Sequence, residues 1–259
     1  MPVENIKITN LTVFEDIEID FCSGINIIIG ETGTGKTHLL KTLFSFCEYD
    51  CGISSLSGIP KWSKSFDMLL QACFQERNLW GLARNTENFK AGSITFIAHS
   101  FGTKYGNTIV QKGSYHNLQS EMTSKKQIPT VYIPAKEMLT HLEKDYDGNL
   151  LVEAGELEKL SLITRLIETG HLQKNSVLIW DEPEVNLNPE LIPSLAEVLL
   201  KLSRSGVQIF LATQDYITLK YFEVKCNEND DILFHSLYKT NLCVKCESNV
   251  DFGNLKEKI

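Results

Sequence analysis

Gly30-Glu31-Thr32-Gly33-Thr34-Gly35-Lys36-Thr37 satisfies the pattern Gly-x-x-x-x-Gly-Lys-Ser/Thr. The residues on both sides suit it. The run Ile25-Asn26-Ile27-Ile28-Ile29 predicts a buried strand entering the loop. KTHLLKTLFSF predicts a helix leaving it, with Leu39, Leu40, Leu43 and Phe44 on one side. Glycines in such a loop let backbone N–H groups turn inward around a β-phosphate, and the helix N-terminus adds partial positive charge. Gly30 through His38 are therefore expected to line a nucleotide, with Glu31, Thr32, Gly33, Thr34 and Gly35 forming the cradle. Lys36 would reach the β- and γ-phosphates, and the Thr37 hydroxyl would join a magnesium shell. The expected ligand is ATP with Mg2+.

A second group of residues completes such a site. Val177-Leu178-Ile179-Trp180 predicts a buried strand that ends in two acids, Asp181 and Glu182. In a parallel sheet, carboxylates at the C-terminal end of a strand face the ligand crevice. Asp181 would hold magnesium, and Glu182 would orient or deprotonate an attacking water. Trp180 reads as a packing residue.

GINIIIGETGTGKTHLLK, LIWDEPEVNLNPEL and QIFLATQDY together resemble the ABC-type ATPase heads of the RecF, SMC/Rad50 and OLD-like group. Asp181-Glu182-Pro183 followed by Asn186-Leu187-Asn188-Pro189 is similar to that group's D-loop. The resemblance covers residues 1–47 and about 131–259 and hardly touches the middle. It implies ATP sandwiched between two heads, with a signature segment of one head contacting the γ-phosphate bound by the other. It also implies a homodimer or higher oligomer working beside a separate effector such as a nuclease or toxin, in anti-phage defence or DNA metabolism.

Two positions depart from that pattern. The signature falls at Glu153-Ala154-Gly155-Glu156, where the group carries Ser-Gly-Gly-Glu. A glutamate beside a triphosphate is repulsive unless turned away, whereas Gly155 and a following helix N-terminus can still donate N–H groups. At the end of VQIFLAT the group carries a histidine that senses the γ-phosphate, and here Gln214 stands. Glutamine hydrogen-bonds but carries no proton or positive charge at neutral pH. The expectation is slow hydrolysis with Lys36, Glu182 and Gln214 as the catalytic set; an ATP-trapping, non-hydrolysing module is the alternative. No Q-loop glutamine follows VYIP. Either Lys136 or Glu137, beside Ala135, substitutes for it, or this segment is a solvated helix start.

The elements that must position these residues alternate. A helix is expected over GELEKLSLITRLIE, a strand over SVLIWDEPE, a helix over PELIPSLAEVLLKLSRSG, a strand over VQIFLATQD and a terminal hairpin over ILFHSLY and LCVKCES. The N-terminus reads as paired strands, IKITNLTVF and DIEIDF. The fold class this predicts is an α/β P-loop NTPase of ABC type, with a mostly parallel sheet flanked by helices and an antiparallel β lobe. Residues 48–130 read as a smaller β-rich and helical lobe inserted into one ATPase domain spanning 1–259.

Composition agrees with a globular chain: 259 residues, 42% hydrophobic and 22% charged. The formal charge of −8 argues against a broad nucleic-acid coat, though not against a local patch. Lys104, Lys112, Lys125 and Lys126 interleaved with Tyr105, Tyr115 and His116 either grip single strands or are a solvated lobe face. No apolar run approaches bilayer length, and MPVENIKITN lacks a signal-peptide core, so a cytoplasmic location without membrane contact is expected. Seven cysteines follow no secreted pattern. Cys243 and Cys246 have CxxC spacing, but on a strand they point to opposite faces, which favours reduced thiols over zinc.

Overall fold

The strand leading into the glycine loop, Ile25–Ile29, is buried at every position. The computed structural model describes residues 3–48, 66–75, 82, 92–98, 103–110, 128–135, 157–240 and 243–255. In chain order the described strands are β1 (Asn5–Leu11), β2 (Phe14–Asp20), β3 (Ile25–Ile29), β4 (Gly92–Ala98), β5 (Thr103–Val110), β6 (Thr130–Ile133), β7 (Val177–Asp181), β8 (Gln208–Thr213), β9 (Ile232–Lys239) and β10 (Val244–Asn249). The helices are α1 (Lys36–Glu48), α2 (Phe66–Phe74), α3 (Leu157–Glu168), α4 (Ile192–Arg204) and α5 (Tyr216–Lys225).

Six strands form one sheet in the order β10-β9-β3-β8-β7-β6. Every neighbouring pair from β9 to β6 is parallel, and β10 alone is antiparallel to its neighbour. Parallel strands need crossovers that cover both faces, which is why β3, β7 and β8 are buried at every position and mainly apolar, with Asn26 of β3 hydrogen-bonded where it is buried. On one face Ile28, Ile179 and Phe210 pack with Leu39, Leu40, Leu43 and Phe46 of α1. On the other, Ile27, Trp180 and Leu211 pack with Leu195, Leu199 and Leu202 of α4, Ile163 of α3 and Phe222 of α5. The expected mostly parallel, helix-flanked sheet is thus the fold.

A second, antiparallel sheet has the order β2-β1-β4-β5, and the apolar side chains of its β1 and β2 pack into the α1 face. It joins the N-terminal strands to two strands of the segment between α1 and β6, with β4 pairing directly with β1. The expected strand IKITNLTVF ends earlier, because Asn10 and Thr12 adopt positive φ of 50° and 51° and turn the hairpin there. Phe14 therefore opens β2 and faces Leu11 across it. The apolar face of α1 is also wider than expected. Thr42, Ser45, Phe46 and Cys47 are buried, whereas Phe44 is partly exposed and stacks on Tyr132 of β6 with ring centroids 5.4 Å apart. The helix is covered by α2 as well as by the sheet, so no single stripe describes it. No helix among the described residues is long and apolar enough to cross a membrane.

Candidate functional site

The C-terminal ends of β3, β7 and β8 lie side by side, and each delivers part of one cluster. β3 leads into the glycine loop, whose backbone is feasible only with glycine at two crowded points. Gly30 has φ +146°, and a Cβ there would sit 2.2 Å from the Leu237 carbonyl oxygen of β9. Gly35 has φ +95°, and its Cβ would meet Val13 at 2.5 Å and Phe14 at 2.7 Å. The hairpin between β1 and β2 thus props the loop from below. Thr34 is buried and closes the turn, its hydroxyl donating to the Glu31 carbonyl at 2.8 Å. Glu31, Thr32 and Gly33 form the exposed crest.

Lys36 is buried and donates to the carbonyl oxygens of Gly30 at 2.6 Å and Glu31 at 3.1 Å. Burial lowers its ammonium below the usual lysine range, while Glu182, Asp181 and Glu184 act in the opposite direction. Beside it, the Thr37 hydroxyl donates to Asp181 Oδ2 at 2.7 Å. Asp181 is buried at the end of β7, and burial raises its carboxyl, opposed first by the Thr37 bond. A hydroxyl and a buried carboxylate in contact are hard oxygen donors, the set that magnesium takes. These residues fit that ion. His38 follows on α1, with its ring edge-on to Phe74 of α2 at 5.3 Å. Burial, and secondarily Lys41, lowers its imidazole below the usual histidine range.

Glu182 leaves β7 in the left-handed region, φ +50°, with its N–H held by the Ala212 carbonyl of β8 at 2.8 Å. That strained corner turns its carboxylate toward β8, where Glu182 Oε1 accepts from Gln214 Nε2 at 3.2 Å. Gln214 Oε1 in turn accepts from the Thr32 hydroxyl at 3.1 Å. One glutamine therefore links the loop crest to the acid at the end of β7. The chain continues from Glu182 as a turn, with a second left-handed residue at Asn186, φ +59°. Asn188 caps the short 3-10 helix Pro189–Leu191 that leads into α4.

The structure thus brings together Lys36, Thr37, Asp181, Glu182 and Gln214. Glu153, Ala154 and Gly155 lie outside the described residues, as do Lys136 and Glu137 of the Q-loop segment and Lys112, Tyr115, His116, Lys125 and Lys126. Lys104 and Tyr105 fall on β5. Cys243 precedes β10 and Cys246 lies within it; burial pushes the Cys246 thiol up to about 12, and Cys243 is bound to Thr240 in the hairpin turn.

Glu184, Thr213 and Lys159 were not picked out from sequence. Glu184 accepts from the Thr213 hydroxyl at 2.6 Å. Lys159 of α3 donates to the carbonyls of Pro183, at 2.9 Å, and Val185. Glu184 carried a usable signal as the third acid in the run Asp-Glu-Pro-Glu. Lys159 carried none, since nothing in an amphipathic helix marks which lysine caps a distant turn.

Residues 5–137 match a family described as an AAA domain, and residues 126–219 match one described as an AAA domain, putative AbiEii toxin, Type IV TA system. The chain is 25% identical over 211 residues to ABC transporter G family member 23 of Dictyostelium discoideum, covering 79% of this chain and 25% of that protein. It is 24% identical over 188 residues to the DNA double-strand break repair Rad50 ATPase of Nanoarchaeum equitans, covering 66% and 23%. The chain thus spans about a quarter of the length of each of these relatives. Among solved structures, an SMC head bound to the C-winged helix domain of ScpA superposes with a TM-score of 0.67 at 9% identity, covering 96% of this chain and 98% of that one.

Proposed function

Because the chain belongs to the AAA-domain ATPases of ABC type, in the group of RecF, SMC and Rad50, we propose that it binds ATP with magnesium and hydrolyses it slowly. The observation that carries this reading is the convergence of Lys36, the Thr37–Asp181 pair and the Glu182–Gln214 pair on one loop. Lys36 exchanges the Gly30 and Glu31 carbonyls for phosphate oxygens. Thr37 and Asp181 are the residues that would hold magnesium, which neutralises triphosphate charge when bound. Glu182 receives or orients the attacking water. Gln214 fixes Glu182 by hydrogen bond but cannot accept a proton or carry charge, and so turnover is slow.

In this reading residues 1–259 are one ATPase domain with residues 48–130 as its inserted lobe. ATP-bound heads pair, and the paired state controls a separate effector such as a nuclease or toxin. Support for a partner-directed role comes from the toxin–antitoxin description of one matched family and from the ScpA-bound state of the SMC neighbour.

Calorimetric titration with Mg-ATP and single-turnover hydrolysis, on the native chain, Lys36→Ala and Glu182→Gln, test the proposal. The native chain should bind and slowly hydrolyse; Lys36→Ala should lose binding, and Glu182→Gln should bind without turnover. Native-like Mg-ATP affinity in Lys36→Ala overturns it. The Gln214 substitution favours a second reading, a nucleotide-dependent binding module, in which the native chain pairs on ATP and never turns it over.

A further inference from the structure

Gln214 is flanked by two residues whose side chains anchor the backbone on either side of it. Thr213 donates its hydroxyl to Glu184 Oε1 at 2.6 Å, and the same hydroxyl accepts the Asp215 N–H at 2.9 Å. Asp215 then caps α5 through the N–H groups of Thr218 at 2.8 Å and Ile217 at 3.3 Å. Gln214 therefore sits between an anchor on the β7 turn and an anchor on a helix start. Its side chain reaches Glu182 in one direction and Thr32 in the other.

The anchor on the β7 turn is Glu184. Its two carboxyl oxygens differ: Oε1 takes the Thr213 bond, and Oε2 is buried without a hydrogen-bond partner. A buried carboxylate oxygen left without a donor costs stability. Burial raises its carboxyl above the usual range, with the Thr213 bond foremost and the backbone amides of Glu184 and Gln214 also acting against that rise. The turn that carries Glu184 is itself fixed at its carbonyls by Lys159 and begins at the left-handed Glu182.

Resting on the reading of this site as an ATPase, we infer that Glu184 is a positioning residue for hydrolysis. It locks Thr213, and through Thr213 the Gln214 side chain, so that Gln214 holds Glu182 where water is activated. Neither Glu184 nor Thr213 is bonded to the glycine loop or to Thr37. Glu184 also acts on Lys36 through its charge, so the uncharged Thr213 variants separate the bond's effect on the chemical step from any effect on nucleotide affinity. Misplacing a group near the reacting atoms by about 1 Å costs on the order of 10²-fold in rate.

The test is single-turnover hydrolysis beside Mg-ATP affinity in Glu184→Ala, Glu184→Gln, Thr213→Val and Thr213→Ser, with thermal melts to establish folding. Expected are rates lower by about 10²-fold in Glu184→Ala and Thr213→Val, with affinity in Thr213→Val within about threefold of the native chain. Glu184→Gln keeps an acceptor oxygen and Thr213→Ser keeps the hydroxyl, so both should recover most of the rate. Native rates in folded Thr213→Val and Glu184→Ala overturn the inference, as does a rate loss in Thr213→Val matched by an equal loss of affinity. Failure of the native chain itself to bind or hydrolyse Mg-ATP overturns the ATPase reading instead.

Discussion

Thr37 and Asp181, separated by 144 residues of chain, share a 2.7 Å hydrogen bond. The first residues of α1 and the last residue of β7 are thereby held as one oxygen-donor pair beside the glycine loop. Removing the hydroxyl alone tests that pairing. Thr37→Val should weaken Mg-dependent ATP binding by about 10- to 100-fold, while binding of ATP in the presence of a chelator should change little. Titrations at several magnesium concentrations separate the two, and equal loss with and without magnesium would count against the assignment.

Gln214→His should speed hydrolysis, because a titratable ring would replace an amide 3.2 Å from Glu182 Oε1. A gain of about 10²-fold or more is expected, with a new pH dependence in the histidine range. A rate that neither rises nor acquires that dependence would show that the glutamine does not limit turnover.

Gly35→Ala should lower both stability and nucleotide binding. The methyl meets Val13 at 2.5 Å and Phe14 at 2.7 Å, and φ is +95°. A loss of about 1–3 kcal/mol is expected from strain and overpacking together. Thermal unfolding with and without Mg-ATP reads both effects. A native melting temperature in the variant would mean that the β1–β2 hairpin yields easily.

Stability should fall on mild acidification through His235 of β9. Its ring is fully buried, with Nδ1 against the Ser248 hydroxyl at 2.8 Å and Nε2 against Asn26 Oδ1 at 3.2 Å, and burial pushes its pKa from 6.5 down to about 3. Between these values the unfolded chain binds a proton that the folded chain refuses. This contribution is therefore intact above about pH 6.5 and lost progressively as pH falls toward 3, by about 2 kcal/mol at pH 5. Unfolding midpoints of the native chain and His235→Asn should diverge in slope across that range. Parallel slopes would exclude the histidine as the source.

The glycine loop, the buried runs of β3, β7 and β8 and the acids after Trp180 were legible because each is a local pattern. A loop that wraps phosphate needs its glycines and lysine within eight positions, and a strand buried on both faces is apolar at nearly every position. The two-sided burial of α1 was not legible, because helical periodicity reports one covered face and cannot count two. Nor was the turn at Thr12, where β-branched residues suggested a continuing strand and tertiary contacts imposed positive φ.

What the sequence determined by itself was the inventory: a glycine loop with its lysine and threonine, a carboxylate pair and a glutamine at the end of a largely apolar strand. Only the tertiary structure decided how they are wired. Gln214 joins Thr32 to Glu182, Thr213 ties that strand end to Glu184, and Lys159 caps the turn between them. Those bonds span 24 to 182 positions of chain, and hydrogen-bond geometry at such separations is set by strand order and register, which no local pattern encodes.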